Sequence, residues 1–181
     1  VDLSAFYFDI RKDTLYCDPL SSQKRKSTLL VLNIILQCLL KWFAPILSFT
    51  TEEIYQLVSK KKNSIHLENF LNVPKKFENL ELNEKWSQLL KIRDVCNLSI
   101  EEKRASKEIG SSLEAAITIK INKQKLKILE GVDFAELCIT SLAEIKFHDT
   151  DEIDVQTNKA QGNKCPVCWK ISEEPCQRHG H

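Results

Sequence analysis

At Gly110 the spacing of the apolar residues changes, and one kind of secondary structure cannot serve both sides of it. Upstream, Leu82, Trp86, Leu89, Leu90, Cys96 and Ile100 fall on one arc at about 100° per residue, interrupted by Arg93 and Asn97. That spacing predicts a long helix over about 83–109, with Gly110 as its left-handed stop. Downstream, Ile117, Ile119 and Ile121 alternate with Thr118, Lys120 and Asn122, the two-residue repeat of a strand. Helices followed by strands predict separate modules. The expected fold is mainly α. It comprises a helical bundle over 1–110, a small α+β junction module with a mixed sheet over 111–150, and a linker with a zinc-binding tail over 151–181.

Within the bundle, a first helix should end near Arg11, where Arg11-Lys12-Asp13 turns the chain polar. Asp18-Pro19 makes a turn, and Ser21 or Ser22 caps a helix that runs to about Phe43. Asn33, Gln37 and Lys41 give that helix one wet stripe, and Pro45 ends it. Thr50-Thr51-Glu52-Glu53 has capping-box form and predicts a helix through Val58, stopped by Lys60-Lys61-Lys62-Asn63. Residues 64–80 read as irregular. Beyond the first strand, Leu126 and Ile128 suggest a second, Val132 to Leu137 a short helix, and Leu142 to Phe147 a further strand. His148 to Asn163 is polar and linker-like.

Lys plus Arg number 26 against 25 Asp plus Glu, so any nucleic-acid contact must come from local patches. Four glycines leave no phosphate-cradling loop. The apolar run Leu29–Leu40 contains Asn33 and Gln37 and is short for a bilayer, so no membrane partner is expected. With no Met anywhere, the chain reads as a piece of something longer.

Of seven cysteines, three crowd the end of the chain, which favours metal ligation in a reducing, cytoplasmic setting over a disulfide framework. Cys165, Cys168, Cys176 and His179 form C-x2-C-x7-C-x2-H, two tight turns that together offer zinc a tetrahedron of donors. Four filled positions leave none for water, so the ion would be structural. His181 rivals His179 as fourth ligand. So short a tail buries no core, and metal binding would have to supply its fold. Cys17, Cys38, Cys96 and Cys138 read as small core hydrophobes.

Trp169, Lys170 and Arg178 project from this knuckle and suit stacking and phosphate contact with unpaired RNA bases; alternatively, Trp169 covers the zinc sulfurs. Basic clusters at Lys24–Lys26, Lys60–Lys62, Lys75-Lys76 and Lys120–Lys127 read as solvated faces. No nucleophile, base or paired carboxylate stands in a catalytic context.

Several stretches resemble the bacterial isoleucyl-tRNA synthetases. They are Asp2 through Cys17, Trp42 through Glu53, Ser64 through Glu68, Lys107 through Ala115, and the terminal Lys164-Cys165-Pro166-Val167-Cys168-Trp169. They lie in family order and cover almost the whole chain. The resemblance implies a class I synthetase anticodon-binding bundle with C-terminal α+β and zinc modules. The parent enzyme would use ATP and Mg2+ to attach isoleucine to its tRNA. It would carry catalytic and editing domains upstream, since neither the HIGH-type nor the KMSKS-type motif is present here. The residues expected to contact the anticodon arm are Trp169, Lys170, Arg178, Lys164, Arg11 and Lys12. The family's final zinc half-site is usually Cys-x-x-Cys, whereas this chain has Cys176-Gln177-Arg178-His179. A valine or leucine enzyme, or a free-standing zinc and helix interaction module, are the competing readings.

Overall fold

The computed structural model describes residues 2–59 and 63–178. A π-helical turn, Asp2–Phe8, runs into α1 (Asp9–Cys17), followed by α2 (Gln23–Phe43) and α3 (Ser48–Val58). Two 3₁₀ turns, Ile65–Leu67 and Lys75–Phe77, precede α4 (Leu80–Ala105). After a 3₁₀ turn at Ser112–Glu114 come β1 (Ala115–Ile121), α5 (Lys123–Leu129), α6 (Phe134–Leu137), β2 (Leu142–Phe147) and β3 (Asp154–Lys159). The two-residue strands β4 (Asn163–Lys164) and β5 (Ile171–Ser172) close the order. The chain divides into two compact units: Pro19–Glu78, and the described residues before and after that segment.

In the Pro19–Glu78 unit, the Ser22 hydroxyl accepts the Arg25 amide at 3.3 Å and opens α2, which stops at Phe43 ahead of Pro45 as its sequence implies. α3 starts at Ser48, earlier than a Thr50 cap allows. The amides of Ile46 and Leu47 both bond the Phe43 carbonyl, so the chain re-enters a helix without a side-chain cap. The Thr51 hydroxyl donates back to Leu47 O at 2.9 Å, and Glu52 reaches outward to Ser64 Oγ and the Ile65 amide at 2.8 and 2.9 Å. Leu40, Ala44, Tyr55 and Ile65 form a small core. By length and composition α2 is long and apolar enough to cross a bilayer. Its expected wet stripe is partial, since Asn33 is exposed whereas Lys41 pairs with Glu68 at 3.6 Å. Lys60–Lys62 lie outside the described residues.

The other unit is built on β1, parallel to β2 and antiparallel to β3 in the order β2-β1-β3. Its core joins Leu89, Ile92, Cys96 and Ile100 of α4 to Ile117, Ile119 and Ile121 of β1 and to Ile10 of α1. The boundary expected at 110 falls inside this core. α1 continues past Arg11 to Cys17 because its polar residues find partners: the Arg11 guanidinium meets Glu136 at 2.7 Å, while Ile10 and Thr14, four apart, are buried. α4 ends at Ala105, and the left-handed residue is Lys107 (φ 60°), not Gly110. The Glu108 carboxylate, taking Lys103 Nζ at 2.8 Å and Ser106 Oγ at 3.0 Å, fastens that turn.

Two further expectations fail here. Residues 126–128 lie in α5: the Asn122 carboxamide accepts the Lys125 amide at 2.9 Å, and the Lys- and Leu-rich segment favours a helix. The supposed linker contains β3. Its registration on β1 (Ile119 opposite Val155, Ile117 opposite Thr157) makes it a strand despite its polarity, with Thr157 buried against the Ser99 hydroxyl at 2.8 Å. Just before β4, Gly162 sits at φ 114° with the Ser172 carbonyl oxygen 2.2 Å from where a Cβ would stand, so only glycine fits.

Candidate metal centre and nucleic-acid surface

β4 and β5 pair Asn163 with Ser172 and Lys164 with Ile171, leaving Cys165–Lys170 as a tight loop. The Cys165 amide donates to Lys170 O at 2.8 Å and the Trp169 amide to Cys165 O at 3.0 Å. Within this frame the Sγ atoms of Cys165, Cys168 and Cys176 lie within 4.8 Å of one another, Cys168 and Cys176 at 3.9 Å. Zinc with Zn–S bonds of about 2.3 Å in a tetrahedron needs sulfurs about 3.8 Å apart, so the three thiols fit the ion. His179 and His181, the alternatives for the fourth position, lie outside the described residues. Backbone amides of Cys168 and Val167 pull the Cys165 thiol down to about 6, which makes it a thiolate at neutral pH. Burial pushes Cys168 up to about 12, and a bound cation would displace its proton. Bound there, a zinc ion would cross-link the two cysteine-bearing segments through these three thiols.

Several contacts among the described residues fasten the knuckle to the rest of its unit. The Ile171 amide donates to Ser141 Oγ at 2.6 Å, and that hydroxyl bonds Leu113 O at 2.5 Å. The Cys17 thiol faces the Val167 carbonyl at 3.9 Å. Arg178 places Nη1 on Asp13 at 2.5 Å and both Nε and Nη2 on Asp18, Nε at 2.9 Å. Burial opposes the charge on this guanidinium, but the bonds to Asp13 and Asp18 outweigh it and leave its pKa above the ordinary arginine value. Cys17 is thus partly exposed rather than a core hydrophobe, and burial, then Asp13, push it up to about 11. Cys38, Cys96 and Cys138 are buried as expected; Cys96 shares a hydrogen bond with Cys138, which with burial raises its pKa.

Trp169 is 59% exposed and left-handed at φ 63°, with Lys164 Nζ 5.8 Å from its ring centroid. More than half of the residue is therefore open to solvent, whatever the rest of it covers. A cavity of about 410 Å³ lies between α1 and the knuckle, lined by Lys12, Tyr16, Val167, Trp169 and Lys170 among others. Lys12 also meets Asp9 at 2.8 Å in the open. Arg11 and Arg178 are committed to carboxylates as well, in less exposed pairs. The Lys120–Lys127 cluster likewise serves the fold in part, with Lys120 on Asp154 at 3.0 Å and Lys125 on Asp151 O at 2.6 Å. The sequence reading takes Asp13 and Asp18 only as helix-end and turn residues, and it passes over Ser141. A bond to Arg178 spans 160 residues, and no local pattern announces it.

Residues 1–120 match the model of a family described as the anticodon-binding domain of tRNA ligase. The chain is 62% identical over 99% of its length to the isoleucine–tRNA ligase of Pelagibacter ubique. It is 43% identical over 96% to that of Bartonella quintana and 38% identical over 99% to that of Gluconobacter oxydans. It spans 20%, 19% and 19% of these relatives, about one fifth of their length.

Proposed function

We propose a function from one premise: the chain belongs to the anticodon-binding domain family of tRNA ligases. It serves as the C-terminal, tRNA-binding part of a cytoplasmic isoleucine–tRNA ligase. Its helices and its zinc knuckle grip the anticodon arm of an isoleucine tRNA while ATP-dependent aminoacylation proceeds on catalytic and editing domains upstream. On this reading the chain alone is inactive, and α2 belongs to a bundle and not to a membrane. The observation that carries the reading is the exposure of Trp169 beside Lys164 and Lys170 on a loop held by the β4–β5 hairpin. A flat aromatic flanked by cations stacks on unpaired bases and attracts their phosphates. Exposed Lys12 and Tyr16 extend the same surface along α1. Arg11 and Arg178 contribute by fixing elements of that surface through their carboxylate partners.

Fluorescence titration of the zinc-loaded chain with anticodon stem-loops tests this. Binding should be stronger to an isoleucine stem-loop than to a valine one and should weaken steeply with salt. Trp169→Ala should cost about 5–150-fold in affinity, the worth of one stacked base, without releasing the metal. Equal, salt-insensitive binding to both stem-loops would remove the RNA reading.

A further inference from the structure

We infer that Arg178 is a positioning residue that couples metal binding at the knuckle to the seating of the knuckle on α1. The inference rests on the metal reading of Cys165, Cys168 and Cys176. Two carboxylates of α1 face the knuckle: Asp13 at its middle and Asp18 as its C-cap. Negative charge is unfavourable at Asp18, because the unsatisfied carbonyls already make a helix C-terminus negative. The Arg178 guanidinium answers both carboxylates at once, with Nη1 on Asp13 and Nε and Nη2 on Asp18. The Asp18 side chain is only 10% exposed and that of Asp13 25%, so this is a seat shaped for a planar cation and not a surface encounter.

The position of Arg178 in the chain gives the seat its meaning. Cys176 is two residues earlier, beyond β5, where residues 173–178 belong to neither helix nor strand. The first half-site is fixed by the β4–β5 hairpin and by Val167 and Ile171. Among the described residues, the second half-site has Arg178 as its side-chain tie to the body of the unit. Two restraints, a metal at Cys176 and the seat at Arg178, therefore act on one short segment. When each is satisfied, less chain freedom remains for the other to remove, so each strengthens the other by the same factor. One ion then sets both the loop and the wall that Trp169 and Lys170 present to the cavity beside Tyr16.

The test uses the purified full chain with Co2+ as spectroscopic probe and Zn2+ in competition with a chromophoric chelator. Arg178→Ala should lower Zn2+ affinity by about 10–100-fold, the usual effect of removing a group that orients a ligand. Arg178→Lys, which retains charge but not the fork, should fall between. Asp13→Asn combined with Asp18→Asn should match Arg178→Ala, and all three changes together should add nothing further. Reciprocally, zinc should slow amide exchange in residues 13–18 of the wild type but not of Arg178→Ala. Helical circular dichroism screens for misfolding; if Arg178→Ala loses it, Arg178→Lys decides. A normal thiolate–Co2+ band with an affinity indifferent to Arg178 overturns the coupling alone. A wild type with no such band overturns the metal reading and the coupling with it.

Discussion

The α4–sheet core and the terminal knuckle lie in one unit and are held together by different physics. Among the described residues, the core gathers fourteen buried hydrophobic side chains from α1, α4, β1, the two short helices and the segments that join them. The knuckle, residues 163–178, buries only Cys168. Apolar burial, at about 25 cal/mol per Å², suffices to order the first and leaves the second without a driving force of its own. The knuckle depends on a hairpin of two-residue strands, a few hydrogen bonds, an ion-pair seat and a set of thiols. It follows that stability and the proposed RNA contact can be perturbed separately, because Trp169 stands on the element that contributes least to the core.

Metal removal should produce the largest local effect. A chelator should abolish amide protection across residues 163–178 and enhance thiol reactivity of Cys165, Cys168 and Cys176, while α4 and β1 keep theirs. Structural zinc is worth roughly 10–16 kcal/mol in zinc-finger peptides, far more than the knuckle's own bonds supply. Equal loss of protection in β1 would show that the two regions fold as one and would break the comparison. Conversely, Ile119→Ala, at a fully buried position on the central strand, should cost about 2–5 kcal/mol of unfolding free energy. Denaturant unfolding with and without zinc checks it: the loss should be of similar size in both, since the cavity lies in the core and not at the thiols.

The same division explains what could be read from the sequence. β1 and β2 are legible because their extents follow from apolar residues at strand spacing, and the convergence of the Cys165, Cys168 and Cys176 thiols because they are local in the chain. β3 was not: beyond Val155 it carries polar residues, and its strand identity comes from hydrogen bonds to β1. α5 was mistaken for a strand because Leu126 and Ile128 are two apart, whereas the deciding signal was the Asn122 cap. The end of α4 was placed at glycine, the residue that most easily turns left-handed, although the Lys103–Glu108 clasp lets Lys107 do it. Arg178 reads as outward in the sequence because a cation beside a cysteine cluster looks free until folding brings Asp13 and Asp18 to it. Short-range rules therefore recover elements whose cause is local and miss those whose cause lies across the structure.

That clasp offers the finest probe of the comparison, since it is a polar device at the edge of the apolar core. Hydrogen bonds from Lys103, then from Ser106, hold the Glu108 carboxyl below its ordinary pKa of 4.5. A carboxylate lowered in the folded state binds its proton less readily there than in the unfolded chain. Its contribution is therefore complete above the unfolded value and is lost as pH falls through the folded one. Acidification from pH 7 should leave the turn at residues 105–109 intact until the pH is below 4.5, then accelerate amide exchange there ahead of β1. Glu108→Gln should remove that pH step and leave the protection of β1 unchanged, because the clasp is solvent-exposed and its energy small. If Glu108 instead titrates at its free value by NMR while Lys107 keeps its left-handed turn, the clasp does not set the end of α4, and the packing of Ile109 into the core does.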